Sequence, residues 1–332
     1  MKNKPLLLTL AVTAMVSVAG CSTAKTTTAQ PAFTAQEEAT YMKTFGTEVL
    51  KPSAPSVIEK ELQKNITRLN KQDASNAVDG LLYVIHQQTP NLNNKIQGLQ
   101  TVLTQYDKQG VNLNDPKAVN TIQDATLKAF LSEVHANRFI ISPTGNQYLA
   151  RPDVKWVLDN YGKYMNDDLK AMAMFSLEEN QKPFFNKDAN SFDMNLVAQR
   201  IIEIEGNMKK FPKSFYQQAM QNSKNYYYQV YFGTNNSFLV DKNNKVLPQI
   251  IQNYHDTVAK YPDSQLAKDL KAYFTKLSAT GNKVTPDVNV WLLDLTKTQT
   301  LDESSLNTAN NKKIANQQLN NSIQQAIKAN QK

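Results

Sequence analysis

Residues 75–110 read SNAVDGLLYVIHQQTPNLNNKIQGLQTVLTQYDKQG. Behind Ser75, the residues Val78, Leu81, Leu82 and Ile85 fall three and four apart, and Ile96, Leu99, Val102, Leu103 and Tyr106 repeat the spacing up to Gly110. An apolar stripe of that period is one face of a helix, and a glycine is a common stop. Asp115-Pro116 then offers a cap and a first-position proline. It predicts one helix whose buried face is Val119, Ile122, Leu127, Phe130, Leu131 and Val134. Pro152-Asp153 opens another with Trp156, Val157, Tyr161 and Tyr164, and residues 167–179 add Leu169, Met172, Ala173 and Leu177. Strand signals are few. Residues 138–141 and 147–149 flank a Ser-Pro-Thr-Gly-Asn turn, which predicts a hairpin within 138–149. Residues 288–295, VNVWLLDL, fit a strand or a buried helix equally well. The fold class read from these patterns is all-α: an irregular helical bundle or a short array of helical hairpins, with one small β-hairpin.

Two segments fall into register 50 residues apart: Ile201, Ile204, Met208, Phe211-Pro212 and Ser214 match Ile251, Tyr254, Val258, Tyr261-Pro262 and Ser264. Each is an amphipathic helix that a proline ends, followed by a serine able to cap the next helix. Ser214 to Gln217 fits the capping-box pattern. Residues 260–267, KYPDSQLA, resemble the inter-helix turn of tetratricopeptide-like outer-membrane lipoproteins. That resemblance implies helical hairpins at 196–232 and 246–279, although the offset departs from the 34-residue tetratricopeptide period.

The chain has 332 residues, 41% of them hydrophobic and 20% charged, which is too apolar for a disordered chain. Its net charge is +8. A single cysteine excludes an intramolecular disulfide and any multi-cysteine metal or redox site. The ten glycines are all isolated, so no phosphate-cradling Walker or Rossmann loop is present.

The N-terminus has a basic start (Met1-Lys2-Asn3-Lys4), an apolar stretch from Pro5 to Val18, and small residues up to Cys21. This is the secretory pattern, with a run short of the roughly 20 residues that span a bilayer. Val18-Ala19-Gly20-Cys21 resembles the lipobox of bacterial lipoproteins. The resemblance implies a signal peptide over 1–20, lipidation of Cys21 by a diacylglyceryl thioether, and N-acylation of palmitate type. Ser22 in place of an aspartate implies the outer membrane, with the body facing the periplasm or the cell exterior. Residues 21–35 read as a small, polar tether, 36–300 as a helical domain with a sub-boundary near 185, and 301–332 as an Asn/Gln-rich tail. An exported lipoprotein meets lipid and cell wall, so the basic balance does not point to nucleic acid.

Catalytic patterns are sparse. His86, His135 and His255 are far apart in sequence, so no H-x₃-H or HExxH spacing exists, and no cofactor or metal is expected. There is no G-x-S-x-G, and the one S-x-x-K lies in the tether. Among the paired acids, Glu178 with the 203–205 helix best suits a glycosidase carboxylate pair, although adjacent acids also make an ordinary wet helix face. Aromatics are densest from Phe211 to Phe238, and three consecutive tyrosines cannot all face one core. Either this helix is packed on two sides, or Tyr227, Tyr228, Tyr231 and Phe232 form a partner-binding surface with a basic rim at Lys209 and Lys210. The function expected is a non-enzymatic helical scaffold at the outer membrane that binds other envelope proteins. The alternatives are a carrier of a small apolar ligand or lipid, and a cell-wall hydrolase.

Overall fold

Helix starts in the computed structural model follow local chemistry; the structure describes residues 31–144, 147–186, 191–233 and 237–296. Thr34 and Glu37 close a capping box on α1 (Ala35–Val49). Pro55 opens α2 (Pro55–Asn65), and Asn70 caps the longest helix, α3 (Lys71–Gln97). Each side-chain cap contributes about 1 kcal/mol by satisfying an orphan N–H. Gly80 of α3 lies against α1, where a Cβ would stand 3.1 Å from Phe45 and 3.2 Å from Val49, so the two helices approach closely. Leu99 breaks the stripe before α4 (Gln100–Lys108), and Gly110 follows with φ +77°.

The single helix expected after Asp115 is in fact two. Asp115 caps only α5 (Pro116–Val119), and Asp124 caps α6 (Ala125–Ala136). The chain turns between them, yet all six residues of the expected face are buried. The expected hairpin forms from β1 (Phe139–Thr144) and β2 (Gln147–Pro152), antiparallel with Ile141 opposite Ala150. It docks on α3 through the Ala150 N–H to Asn93 Oδ1 (2.8 Å) and on α4 through the Tyr148 N–H to Gln100 Oε1 (2.7 Å). Before β1, Arg138 adopts φ +62°. Its guanidinium grips Glu59 of α2 in two bonds of 2.7 and 2.8 Å and lies 3.8 Å over the Trp156 ring. Glu59 is only 4% exposed, so this pair neutralises a buried carboxylate.

Next come α7 (Val154–Tyr161) and α8 (Asp167–Gln181). Leu169 and Ala173 of α8 belong to the core described so far, whereas Phe175 belongs to a second core. The change of core therefore falls within α8. A minimal hairpin, β3 (Phe185–Asn186) with β4 (Ser191–Phe192), leads into α9 (Met194–Lys210) and α10 (Gln217–Phe232). The second pair is α11 (Pro248–Lys260) and α12 (Gln265–Ala279), and α13 (Pro286–Leu295) resolves the ambiguous 288–295 segment as a helix. The described body is thus all-α apart from two small antiparallel hairpins.

The two helical pairs share one turn. Phe211 (φ −121°, ψ 60°) and Tyr261 (φ −130°, ψ 55°) end their helices alike, and each carbonyl accepts the N–H of the serine three residues on. Ser264 then caps α12 through the Ala267 N–H (3.0 Å). Ser214 does not cap α10, so the expected capping box is absent. Its hydroxyl donates to Asp168 of α8 (2.7 Å), and the Gln217 amide turns back to the Met208 and Phe211 carbonyls (2.9 and 2.6 Å). α12 begins directly after Ser264, whereas α10 begins three residues after Ser214, whose hydroxyl also accepts the Tyr216 N–H (3.0 Å). Next to it, Tyr216 packs against both cores and hydrogen-bonds Asp79 of α3.

Candidate functional site

The tyrosine-rich helix α10 is the one the sequence marks, but the residues expected on its surface are inside. Tyr227, Tyr228, Tyr231 and Phe232 are 2%, 3%, 0% and 3% exposed, so they form no partner surface. The helix is packed on two sides, and each phenol finds an acceptor on a different neighbour. Tyr227 donates to Glu179 of α8, and Tyr228 lies between Glu205 of α9 (3.1 Å) and Asp269 of α12 (3.0 Å). Tyr231 meets Asn253 (2.9 Å) and Thr257 (2.8 Å) of α11. Burial, and then the carboxylates beside them, raise the Tyr227 and Tyr228 hydroxyls well above the ordinary tyrosine range, so both remain proton donors. Lys209 and Lys210 are exposed, but they rim nothing here. They lie in the last turn of α9, four and five residues beyond Glu205, the residue that meets the buried Tyr228 hydroxyl.

The side chain of α10 that does face outward is Tyr226, 49% exposed. It joins a surface that the sequence reading missed. Phe184, just past the end of α8, sits 6.2 Å from Tyr226, 5.6 Å from Tyr227 and 5.9 Å from Phe192 between ring centroids. Phe192 in turn contacts Phe185 (5.2 Å) and Phe238 (5.7 Å). Phe185 is 39% exposed and Phe238 44%. Five aromatic side chains from the segment after α8, the β3/β4 hairpin, α10 and the 237–239 turn therefore make one contiguous, water-facing patch, a feature that marks binding surfaces. The overlooked signal was Phe184-Phe185 and Phe192 in an otherwise polar stretch, where no amphipathic helix would bury them.

Beside the patch lies the acid pair singled out in the sequence. Glu178 and Glu203 do converge, but Arg200 occupies the space between them. Its Nη1 stands 2.6 Å from Glu178 and 3.3 Å from Glu203, and its Nε 2.9 Å from Glu179. Arg200 is fully buried, while the side chains of Glu178, Glu179 and Glu203 are 41%, 28% and 29% exposed. Burial and then Glu178 raise the Glu203 carboxyl above its ordinary range, with Arg200 opposing. The cluster neutralises a buried guanidinium and has no cleft between its acids of the kind that glycoside hydrolysis uses.

A recess of about 470 Å³ lies against Phe232, Leu239, Tyr254, Tyr273 and Leu292. Tyr254, Tyr273 and Leu292 are each 1% exposed and the Tyr254 and Tyr273 rings meet at 6.0 Å, so little free apolar wall faces it. His135 bonds the Leu113 carbonyl (3.0 Å) and His255 stacks on Phe274 (4.3 Å). Among the described residues no group of three His, Cys, Asp or Glu could hold a metal, and no helix is long and apolar enough to cross a membrane. Cys21, the signal segment 1–20 and the tail 301–332 lie outside the described residues. No protein-family model, curated protein or solved structure matches the chain.

Proposed function

We propose that the chain is a lipid-anchored, non-enzymatic helical scaffold of the cell envelope, held at the outer membrane through acyl chains on Cys21, and that it docks another envelope protein on the aromatic patch. The observation that carries this reading is the patch itself: Phe184, Phe185, Phe192, Tyr226 and Phe238 touch one another, and three of them remain 39–49% exposed. Aromatic side chains supply large contact area at small loss of rotamer freedom, and they are enriched at binding surfaces. The lipobox resemblance at Val18-Ala19-Gly20-Cys21 supports the anchor.

The test is site-specific photocrosslinking in cells from position 226, with position 290 as the control, since Val290 is 65% exposed and outside the patch. A discrete protein adduct from 226 and none from 290 is the expected result. Identical labelling from both positions defeats the reading. Loss of radiolabelled palmitate from a Cys21→Ser variant tests the anchor separately.

A further inference from the structure

The aromatic patch and the acidic cluster adjoin one another through Tyr227, which is buried between them. Its ring packs on Phe184 and Tyr226 (5.6 and 5.4 Å), and its hydroxyl donates to Glu179. The cluster is asymmetric in depth. Arg200 is wholly buried, and the three carboxylates around it lie outside it, partly in water. Three carboxylates against one guanidinium leave an excess of negative charge on the solvent side. The carbonyl end of α8, which has no basic residue in its last turn, adds to it. Two further cations stand at this end of α8, Lys182 just past it and Arg151, whose guanidinium donates to Asn180 (3.1 Å), while all three carboxylates converge on Arg200. In a chain that is basic as a whole, this places a local acidic edge against exposed rings.

We propose, resting on the docking function above, that the partner segment seated here carries arginine beside large apolar side chains, with the apolar groups on the five rings and the guanidinium against Glu178 and Glu203. Arginine suits both halves of the surface. Its planar fork matches a carboxylate, and it stacks on tyrosine and phenylalanine faces, whereas the lysine ammonium is a more strongly hydrated point charge. An acidic segment meets like charge at the same edge.

The experiment uses the full mature chain and three synthetic peptides of alternating Leu with Arg, Lys or Glu, titrated by calorimetry at low and high salt. Binding in the order Arg, then Lys, with Glu silent, and weakening as salt rises, is the expected pattern. Glu178→Gln, which keeps the shape and an oxygen for Arg200, should weaken the Arg peptide by about tenfold, the scale of one partly exposed charge pair. Tyr226→Ser should weaken both basic peptides while helical circular dichroism is unchanged. Equal binding of Arg and Glu peptides overturns the assignment, as does no peptide binding at all. So does binding of phosphatidylglycerol vesicles through Tyr226 with indifference to peptides. If the charge preference fails while crosslinks from position 226 persist, the docking function stands and only the partner's chemistry is wrong. Absence of those crosslinks is the separate failure of the docking function.

Discussion

Around α3 the buried side chains are Val78, Leu81, Leu82, Val84, Ile85, Leu92 and Ile96, whereas around α10 they are Tyr227, Tyr228, Tyr231, Phe232, Tyr254 and Tyr273. The first set is held by area removed from water, roughly 1.5–3 kcal/mol for each large side chain, and has no preferred partner. The second buries comparable area but attaches a hydroxyl to most rings, and a buried hydroxyl without a partner costs about 1–3 kcal/mol. Each tyrosine of α10 therefore selects a neighbour: Tyr227 takes α8, Tyr228 takes α9 and α12, and Tyr231 takes α11. Around α10 it is therefore the tyrosine hydroxyls that fix which helix lies where.

The comparison breaks most visibly at two arginines, the half-buried Arg138 and the buried Arg200. Arg138→Met leaves Glu59 charged and almost without water, and should cost about 3–5 kcal/mol in urea unfolding. Arg200→Met removes a more deeply buried cation, yet the acids it leaves behind are already 28–41% exposed, so the loss should be about half as large. Equal losses would mean that exposure of the surviving carboxylates does not set the penalty. Leu81→Ala in the first core should cost about 3 kcal/mol, as a cavity among apolar neighbours does. Tyr231→Phe in the second keeps the volume and should cost about 1–2 kcal/mol, because Thr257 and Asn253 lose their partner.

The seam between the halves is sensitive to pH. Burial, opposed by the Tyr216 hydroxyl and reinforced by the nearby Asp168, raises the Asp79 carboxyl to about 6. A folded-state value above the unfolded one means that the group contributes stability at low pH, and that the contribution is lost as pH rises through about 6. Asp79→Asn should therefore be more stable than the parent at pH 7.5, by about 1–2 kcal/mol given that the side chain is only half-buried, and no more stable near pH 4. Urea midpoints at the two pH values decide it. The smallest expected effect on stability is that of Tyr226→Ser, within about 0.5 kcal/mol as for most exposed sites, although it should abolish the crosslink.

Much of the fold was legible because its signals are local. The α3 stripe, the Asp153 cap, the β1/β2 hairpin and the two helical pairs around residues 211 and 261 each depend on residues close in sequence. The break after Val119 was not, because all six apolar residues stay buried on both sides of the turn and the stripe reads through it. Nor was the exposed face of α10. A helix covered on two sides has no polar face to contrast with its apolar one, and the partners that settle its rotation, Glu179 and Asp269, lie 48 and 41 residues away. Ser214 and Ser264 show the same limit at one residue. The backbone turn is alike up to the serine, yet Ser264 accepts the Ala267 N–H and caps its helix, whereas Ser214 donates to the distant Asp168 and accepts the Tyr216 N–H ahead of α10.

The sharing of α8 has a consequence for cooperativity. Leu169 and Ala173 wall one core and Phe175 the other, all within two turns of the same rod. Neither half can melt without removing a wall from its neighbour, so heating should give one calorimetric peak rather than two, with calorimetric and van't Hoff enthalpies in agreement. A partner seated at the far end of α8 would then slow the opening of the entire body, including the half that it never touches.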